Sequence, residues 1–454
     1  MLATGMRFSQ LCMVMVAAAS VACGDSAADE ASSSTGSESA TSAGASATET
    51  SVGETQGETE TGGEPEPALD CGTPSYAGLR RAPYLQSVMP DSVRVAWASE
   101  TAGEGVLRVG PSADGPWSEV AANAELFTTE RTTEDVEYTA YDAMADGLEP
   151  GIEYCYEVWL DGEAVATGLR FETAWVDDRA VRIVAFGDSG NASPDQMAVR
   201  DRMLERDFDI FLHLGDMAYG DGTFPEFKER VFDVYTDFLH ETPTWPTMGN
   251  HEFNTDQGQP YLDLYYLPEV ALDPSQNERY YSFDYGDVHF VSIDTNDLIV
   301  LGAVAQDPNS DTTMLDWLRQ DLAESDKPWK VAFFHHPPYS SSERPPNFVV
   351  IDGIVPILEE GGIDIALAGH DHHYERTVPV KSGATSTHEE GGIFYFVHGA
   401  GGAGLRDAFG DWWTEAYNDQ KHSYLSLTIE GCTAVGEVVA FDGEVLDTFE
   451  LPGC

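Results

Sequence analysis

Polar side chains able to bind metal ions follow five apolar stretches of this chain, at the point where each stretch ends. The stretches run into "FGDSG", "LGDMAYG", "MGNHE", "FFHHPP" and "AGHDHH", which supply Asp188, Asp216, Asn250, His251, Glu252, His335, His336, His370 and His372. The carboxyl ends of strands form the ligand crevice of an open α/β sheet, so segments far apart in sequence can meet there. One buried Asp or His at a strand end is usually structural, but the repetition at five ends favours a common site.

The donors are rich in oxygen and nitrogen and include no thiolate, because they are carboxylates, an amide, imidazoles and the phenol of Tyr219. Such ligands suit iron, manganese and zinc. About seven ligands exceed the needs of one ion, so the set predicts two cations that share a carboxylate. Two cations about 3.5–4 Å apart form the clamp used for in-line displacement at phosphorus, where one of them activates a water molecule.

The segments that carry these residues alternate between buried strands and helices from about residue 180 to the C-terminus. "VRIVAFGD" is a nearly continuous apolar run, as expected of a strand buried on both faces, and "QMAVRDRMLER" follows with helical spacing. This recurring rhythm indicates an α/β domain with a mixed sheet over residues 180–454. The sequence contains neither a P-loop nor a dinucleotide-binding glycine fingerprint.

The preceding region, which we delimit as residues 71–176, reads as an all-β domain. "SVRVAWAS" and several similar stretches between residues 82 and 173 alternate apolar and polar residues, with Gly, Asp and Pro turns between them. Several short strands in such a length are typical of a β-sandwich. No His, Cys or acidic cluster suited to catalysis occurs there, so we expect a packing or spacing role.

Charge excludes one class of function. The 454 residues, enough for two or three domains, include 79 acidic and 23 basic residues, which gives a formal net charge of -56. A chain so acidic is repelled by nucleic acid and by anionic lipid. We therefore expect no nucleic-acid partner.

The N-terminal residues have the composition of targeting and linker segments. Residues 1–22 carry one charge, Arg7, ahead of the apolar run "LCMVMVAAASVA", which is shorter than the ~20 residues of a membrane span. The end of this run resembles a bacterial lipoprotein cleavage box, so we expect a lipid anchor at Cys23; the alternative is an ordinary signal peptide with an incidental cysteine. Residues 23–70 are rich in Ser, Thr, Gly and Glu and predict a disordered acidic linker. The expected location is the bacterial outer membrane or cell surface, with secretion as the alternative.

Four cysteines remain for the folded part of an exported chain, and they allow three pairings. We favour Cys71 with Cys155 and Cys432 with Cys454, because each pair then lies within one predicted domain. Export makes disulfides more plausible than buried free thiols.

The order of the motifs resembles a known family. "GDSG", "GDMAY", "GNHE", "FFHHP" and "GHDH" look like the five signature blocks of the calcineurin-like metallophosphoesterases. The tyrosine three residues after Asp216 and the stretch "RAPYLQSVMPDSVRVAW" are similar to the purple acid phosphatases within that superfamily. The resemblance implies a four-layer α/β/β/α sandwich preceded by a fibronectin type III-like β-sandwich.

The resemblance also implies roles for individual residues. A ferric ion and one divalent ion (iron, zinc or manganese) would share Asp216. The remaining ligands would be Asp188, Tyr219 and His372 for the ferric ion, and Asn250, His335 and His370 for the divalent ion. The structural alternative for Tyr219 is a buried phenol bonded to a backbone carbonyl. Glu252 is expected to fix its loop, His336 and His373 to support the ligands, and Glu375 to pair with Arg376.

Substrate contacts are less completely matched. Asn250 and His251 would face the substrate, and His251 would donate a proton to the leaving group or bind a phosphoryl oxygen. Plant-type relatives carry further histidines after the fourth block, whereas "PPYSSSERPPNF" has none. Arg344 in that stretch would bind phosphate or be an exposed loop charge.

These features predict a phosphoric-ester hydrolase in which a metal-activated hydroxide attacks phosphorus in line and His251 assists the leaving group. The resemblance implies that it is an acid phosphatase and that its substrates are small phosphoric monoesters. One alternative is a phosphodiesterase or nucleotidase with two divalent ions and no iron. Another is an inactive, surface-tethered binding protein. The membrane would be contacted only through the lipid anchor at Cys23.

Overall fold

The computed structural model describes residues 69–76, 78–296, 313–344 and 346–453. The expected signal peptide, the lipidated Cys23 and the linker up to residue 68 lie outside these residues, as does Cys454, the expected partner of Cys432. Cys71 forms the expected disulfide with Cys155, with Cα atoms 5.4 Å apart.

The N-terminal part is a sandwich of two four-stranded antiparallel sheets. The alternating pattern of the sequence places one side of each strand in the core, where Trp97 stacks on Tyr141 with ring centroids 5.4 Å apart. One sheet, in spatial order, consists of β1 (Arg81–Gln86), β2 (Ser92–Ser99), β6 (Tyr138–Asp146) and β5 (Asn123–Phe127). The other, in spatial order, consists of β4 (Ser118–Ala121), β3 (Gly105–Gly110), β7 (Glu153–Leu160) and β8 (Glu163–Glu172).

The second part contains two larger sheets, of six and seven strands. The six-stranded sheet, in spatial order, consists of β11 (Thr244–Pro246), β10 (Ile210–His213), β9 (Val181–Phe186), β21 (Ser423–Glu430), β22 (Thr433–Ala440) and β23 (Val445–Pro452). The seven-stranded sheet consists of β12 (Tyr281–Tyr285), β13 (Val288–Ile293), β14 (Trp329–Phe334), β15 (Ile365–Ala368), β19 (Phe394–His398), β16 (Tyr374–Thr377) and β20 (Thr414–Asn418). A small hairpin is formed by β17 (Val380–Lys381) and β18 (Ala384–Thr385).

The helices are short, and most of them connect strands. They are α1 (Thr129–Thr132), α2 (Pro194–Met203), α3 (Phe224–Phe227), α4 (Asp233–Leu239), α5 (Asn250–Phe253), α6 (Gln259–Leu264), α7 (Thr313–Glu324), α8 (Phe348–Gly353) and α9 (Val355–Gly361). A π-helical turn spans Lys228–Phe232, and 3-10 turns span Pro274–Gln276 and His388–Glu390. Across the described residues, no helix combines the length and the apolarity needed to cross a bilayer.

The two large sheets face each other across one hydrophobic core, and helices cover their outer sides. In β14, Val331 and Phe333 belong to the core between the sheets, whereas Ala332 and Phe334 pack with α7 and α9. This division follows from the two-residue period of a strand. On the other side, α2 and α4 pack on the six-stranded sheet. The arrangement is the predicted four-layer α/β/β/α sandwich preceded by a β-sandwich.

Buried hydrogen bonds join the β-sandwich to the α/β part. The hydroxyl of Tyr84 in β1 donates to Leu264 O at 2.6 Å, and the Tyr156 hydroxyl in β7 donates to His240 O at 2.6 Å. Side chains from both parts belong to one continuous core cluster. The sandwich therefore packs directly on the α/β part.

The parallel strands of both large sheets end at the crevice that holds the polar motifs named above. Strands β9 and β10 pair in parallel in one sheet, and β13, β14, β15 and β19 do so in the other. Their carboxyl ends therefore point the same way within each sheet.

Candidate metal centre

Three residues of the site follow strand ends with a left-handed backbone: Asp188 (φ 57°), Asp216 (φ 53°) and His370 (φ 68°). Positive φ is uncommon outside glycine, and such strain concentrates at functional sites. In each case the turn directs the chain so that the side chain meets groups from other strand ends. The strained backbone at these three residues therefore helps to bring the donor side chains together.

Glycines precede Asn250 and His370 because neighbouring loops approach too closely for a side chain. A Cβ at Gly249 would lie 2.2 Å from the amide nitrogen of Asp216, and one at Gly369 would lie 2.6 Å from Asp188 Oδ2. Both distances are well inside van der Waals contact. The glycine in each motif therefore allows the loops to converge.

Asp188, Tyr219 and His372 form one half of the site. The Tyr219 hydroxyl lies 3.0 Å from Asp188 Oδ1 and 3.0 Å from His372 Nε2. His372 is oriented by its Nδ1, which donates to Gly404 O at 2.7 Å. Burial, and then the charge of Asp188, raise the pKa of Tyr219 well above its usual value. The phenol thus contacts two predicted ligands, and not a backbone carbonyl as in the structural alternative.

Asp216, Asn250, His335 and His370 form the other half. His335 Nε2 lies 3.2 Å from Asn250 Oδ1, 3.2 Å from His370 Nδ1 and 3.2 Å from Asp216 Oδ2. Its Nδ1 donates to Leu214 O at 2.8 Å, which directs Nε2 toward the other donors. The structure therefore brings all seven predicted metal ligands into one crevice.

The chemistry of this donor set fits bound cations. Ligand atoms of Asp188, Asp216 and His335 lie within 4.8 Å of one another. The two aspartates are 0% and 2% exposed, and buried carboxylates this close together need a compensating positive charge. Burial lowers the pKa of His335, but the Asp216 carboxylate, the Asp188 charge and the hydrogen bond to Leu214 O together outweigh burial and raise that pKa to about 9. A cation has to displace this proton, so its binding weakens as pH falls.

His251 lies at the rim of the same site, one residue after Asn250. Its Nδ1 contacts Gly220 O, and its ring centroid is 4.2 Å from that of Tyr219. Its backbone N–H donates to Asp216 Oδ1 at 2.9 Å. The side chain is 30% exposed, so it is held in place on one side and open to a substrate on the other.

Glu252 is fully buried and fixes the loop that carries Asp216. Its two carboxylate oxygens accept hydrogen bonds from the backbone N–H groups of Asp216, Met217, Ala218 and Gly249 at 2.8–2.9 Å. The sequence-based expectation of a structural carboxylate agrees with this geometry. Because four donors converge on two oxygens, both oxygens must act as acceptors.

Replacing Glu252 with glutamine is expected to lower the free energy of unfolding by about 2–4 kcal/mol, because the amide NH₂ would face backbone N–H donors. Denaturant unfolding measures the loss, and we also expect metal affinity to fall by about 10–100-fold. Glu172→Gln, at a partly exposed ion pair on the β-sandwich, is the matched control. Wild-type stability in Glu252→Gln would show that the four bonds are dispensable.

His336 and Arg344 lie next to the second half of the site. An imidazole nitrogen of His336 is within 4.8 Å of those of His335 and His370, and His336 Nδ1 lies 2.8 Å from Thr295 Oγ1. The Arg344 guanidinium contacts His370 Nε2. Arg344 is therefore a cleft residue and not only an exposed loop charge.

The expected ion pair between Glu375 and Arg376 is wrong. Adjacent residues of a strand point to opposite faces, and β16 separates the two side chains in this way. Glu375 lies 3.2 Å from His373 Nε2 and accepts the Ser341 N–H at 2.7 Å, whereas Arg376 pairs with Asp447 at 2.8 Å.

Arg406 is a residue of the site that sequence reasoning missed. Its backbone N–H donates to His372 O at 3.0 Å. After burial and the neighbouring histidines, the charges of Arg344 and Arg406 further lower the pKa of His370. A lone arginine in "GLRDAFG" carries no motif that would have identified it.

Two family models match the chain. The calcineurin-like phosphoesterase model matches residues 181–374, and the N-terminal domain model of the purple acid phosphatases matches residues 82–175. The first range contains all seven predicted metal ligands, and the second falls on the β-sandwich.

Individual relatives agree with these matches. Purple acid phosphatase 23 of Arabidopsis thaliana is 29% identical over 52% of this chain and 57% of its own length. Probable inactive purple acid phosphatase 9 of the same plant is 23% identical over 58% of this chain and 46% of its own length. The chain thus spans about half the length of these curated relatives.

A solved structure shares the fold. Purple acid phosphatase PPD1 from yellow lupin seeds superposes with a TM-score of 0.68 at 21% identity, covering 84% of this chain and 74% of that chain. The two family models, the relatives and the fold agree: the chain carries a purple acid phosphatase N-terminal domain at residues 82–175, followed by a calcineurin-like phosphoesterase domain at residues 181–374.

Proposed function

We propose that this protein is a binuclear metal-dependent acid phosphatase that hydrolyses phosphoric monoesters. The observation that supports this most strongly is the convergence of donors from five strand ends in one crevice. None of the donors implied by the resemblance has been replaced. A chain that had lost catalysis would be expected to have lost some of them.

The proposed assignment divides the donors between two cations that share Asp216. A ferric ion would be held by Asp188, Tyr219 and His372, and a divalent iron, zinc or manganese ion by Asn250, His335 and His370. When bound, the two cations supply an activated water molecule and neutralise charge on the phosphoryl oxygens. A phenolate is a strong donor to a hard trivalent ion, so Tyr219 favours iron(III) on its side of the site.

His251 is the residue that we propose to assist the leaving group. Gly220 O is an acceptor only, so His251 Nδ1 must donate to it. The proton that can be released to a substrate is therefore the one on Nε2, which lies 3.8 Å from Asp216 Oδ2. From this position Nε2 donates its proton to the leaving oxygen as the P–O bond breaks. Asn250 beside it and Arg344 across the cleft would contact the phosphoryl group.

Metal analysis combined with an ester screen tests the proposal. Purified protein is expected to contain two metal ions per chain, one of them iron, and to absorb visible light through the phenolate of Tyr219. It should hydrolyse a phosphomonoester such as p-nitrophenyl phosphate faster than the diester bis(p-nitrophenyl) phosphate. Removing the metals with a chelator should abolish turnover, and adding iron with zinc should restore it.

The same measurements separate the alternatives. Two divalent ions, no visible band and faster diester cleavage would indicate a phosphodiesterase or nucleotidase. Fully metal-loaded protein that hydrolyses no phosphate ester would indicate a binding protein built on this fold. Tyr219→Phe is the matched variant, since it should remove the visible band while leaving the ring in place.

We propose an exported location for the protein. The signal-peptide-like residues 1–22 and Cys23 support export with a lipid anchor. The disulfide between Cys71 and Cys155 is consistent with an oxidising compartment. Metabolic labelling with a palmitate analogue, compared between wild type and Cys23→Ser, would distinguish an anchored protein from a secreted one.

A further inference from the structure

The segment Gly404–Trp412, which we call the rim segment, is attached to the metal centre at its first residues. Gly404 O accepts a hydrogen bond from His372 Nδ1 at 2.7 Å, and the Arg406 N–H donates to His372 O at 3.0 Å. Just before it, the Ala403 N–H donates to Asp188 O at 2.8 Å. The first residues of the rim segment therefore line the site.

Further along, the rim segment is attached to the loop that carries Arg344. The Phe409 N–H donates to Ser341 O at 3.0 Å, and Ala408 forms a β-bridge with Ser342. The Ser342 hydroxyl in turn donates to Asp371 Oδ2 at 3.0 Å. The two loops are thus paired side by side. The rim segment contacts the predicted ligand His372, and the other loop contacts the predicted ligand His370 through the Arg344 guanidinium.

Arg406 differs from nearly all other arginines of the described ranges. Only Arg81 and Arg406 lack a carboxylate oxygen within 4.0 Å among the described residues. Arg81 is accounted for, because its buried guanidinium lies over the rings of Phe232 and Tyr138. Arg406 is half-buried beside His372, in a chain with a net charge of -56 that offers carboxylates in excess. A cationic group left without a carboxylate at this place is suited to an anionic ligand.

Two large aromatic side chains on the rim segment are exposed. Phe409 is 65% exposed and Trp412 is 46% exposed. The Trp412 ring packs against two other aromatic rings, with its centroid 5.1 Å from that of Trp413 and 6.3 Å from that of Tyr339. Rings presented in this way offer flat apolar surfaces on the same segment that carries Arg406.

We propose that the rim segment selects phosphate monoesters with a planar aromatic leaving group, an inference that rests on the proposed phosphatase function. Arg406 pairs with the phosphoryl oxygens, and the leaving group stacks on Phe409 and Trp412. In the reaction, water adds to phosphorus, the bond between phosphorus and the aromatic oxygen breaks, and that oxygen takes a proton. Inorganic phosphate and an aromatic alcohol are released.

The test compares an aromatic with an aliphatic ester on the metal-loaded protein. For Phe409→Ala, we expect the ratio of kcat/KM for 1-naphthyl phosphate over glycerol 2-phosphate to fall about tenfold, mainly through KM. Trp412→Ala should lower the same ratio. Arg406→Gln should raise KM for both esters and leave the ratio unchanged. The matched controls are Phe441→Ala, an exposed aromatic on the 440–444 turn, and Arg319→Gln, an exposed helix arginine; both should keep the wild-type ratio.

Binding of inert analogues gives a second readout that does not depend on turnover. We expect naphthylmethylphosphonate to bind more tightly than ethylphosphonate, and Phe409→Ala to remove that difference in calorimetric titrations. An unchanged ratio and unchanged analogue binding in both aromatic variants would overturn the rim proposal alone. If the wild-type protein with both metals hydrolyses neither ester, the proposed function fails; loss of analogue discrimination in Phe409→Ala would then still support the rim segment as a binding surface.

Discussion

Asp216→Ala is expected to lose both metal ions and to reduce kcat/KM for phosphomonoesters by at least about a thousandfold. Asp216 is close to both halves of the site: ligand atoms of Asp188, Asp216 and His335 lie within 4.8 Å of one another, and Asp216 Oδ1 accepts the His251 N–H at 2.9 Å. Removing it takes away the carboxylate shared by the two proposed cation positions and an anchor of the leaving-group histidine. Metal content per chain and steady-state kinetics measure the two losses.

A matched control separates this effect from loss of fold. Asp364 is also a buried aspartate next to a strand, but it precedes β15 and accepts the Lys330 N–H at 2.8 Å, at the opposite edge of the sheet from the site. Asp364→Ala should lose stability and retain metal and activity. If folded Asp216→Ala keeps two metals and wild-type turnover, the bridging assignment is wrong.

Much of the site was predictable because the ends of buried strands can be recognised from short stretches of sequence. An apolar run identifies a buried strand, and the residue just past its end lies at the carboxyl edge of the sheet. Asp188, Asp216, Asn250, His335 and His370 all satisfy this rule and all lie in the crevice. The fold class followed from the same strand–helix rhythm, and the β-sandwich from two-residue alternation.

Contacts between distant segments were not predictable in this way. Strand β21 pairs with β9 between residues more than 200 positions apart, and no local pattern indicates which strand inserts beside which. The ion pair between Arg376 and Asp447 was not predictable either, because the two residues are distant in sequence and the neighbouring Glu375 seemed the simpler partner. Arg406 reaches the site only because the rim segment bonds to His372 and to Ser341. Such contacts depend on tertiary geometry, which composition and spacing do not encode.

His251→Ala is expected to lower kcat by about 10²–10⁴-fold for an alkyl phosphate and by clearly less for p-nitrophenyl phosphate. An alkoxide needs a proton to leave, whereas p-nitrophenolate leaves readily without one. His251 Nε2 is placed for this donation because its Nδ1 is occupied by Gly220 O. Metal content should be unchanged, since His251 is not among the proposed ligands. His388→Ala, whose histidine contacts Asp364 away from the site, serves as the control.

The pattern across leaving groups distinguishes a proton donor from a phosphate contact. If His251 only binds a phosphoryl oxygen, its removal should slow both esters equally, and the assignment of proton transfer would be wrong. If it donates the proton, the preference for aromatic over alkyl esters should rise in His251→Ala and fall in Phe409→Ala. Protonation of the leaving oxygen and stacking of the leaving group are separate contributions to hydrolysis of the same ester. If the ratio of aromatic to alkyl ester hydrolysis rises in one variant and falls in the other, the two roles are separate: the strand-end loop that carries His251 donates the proton, and the rim segment stacks on the leaving group.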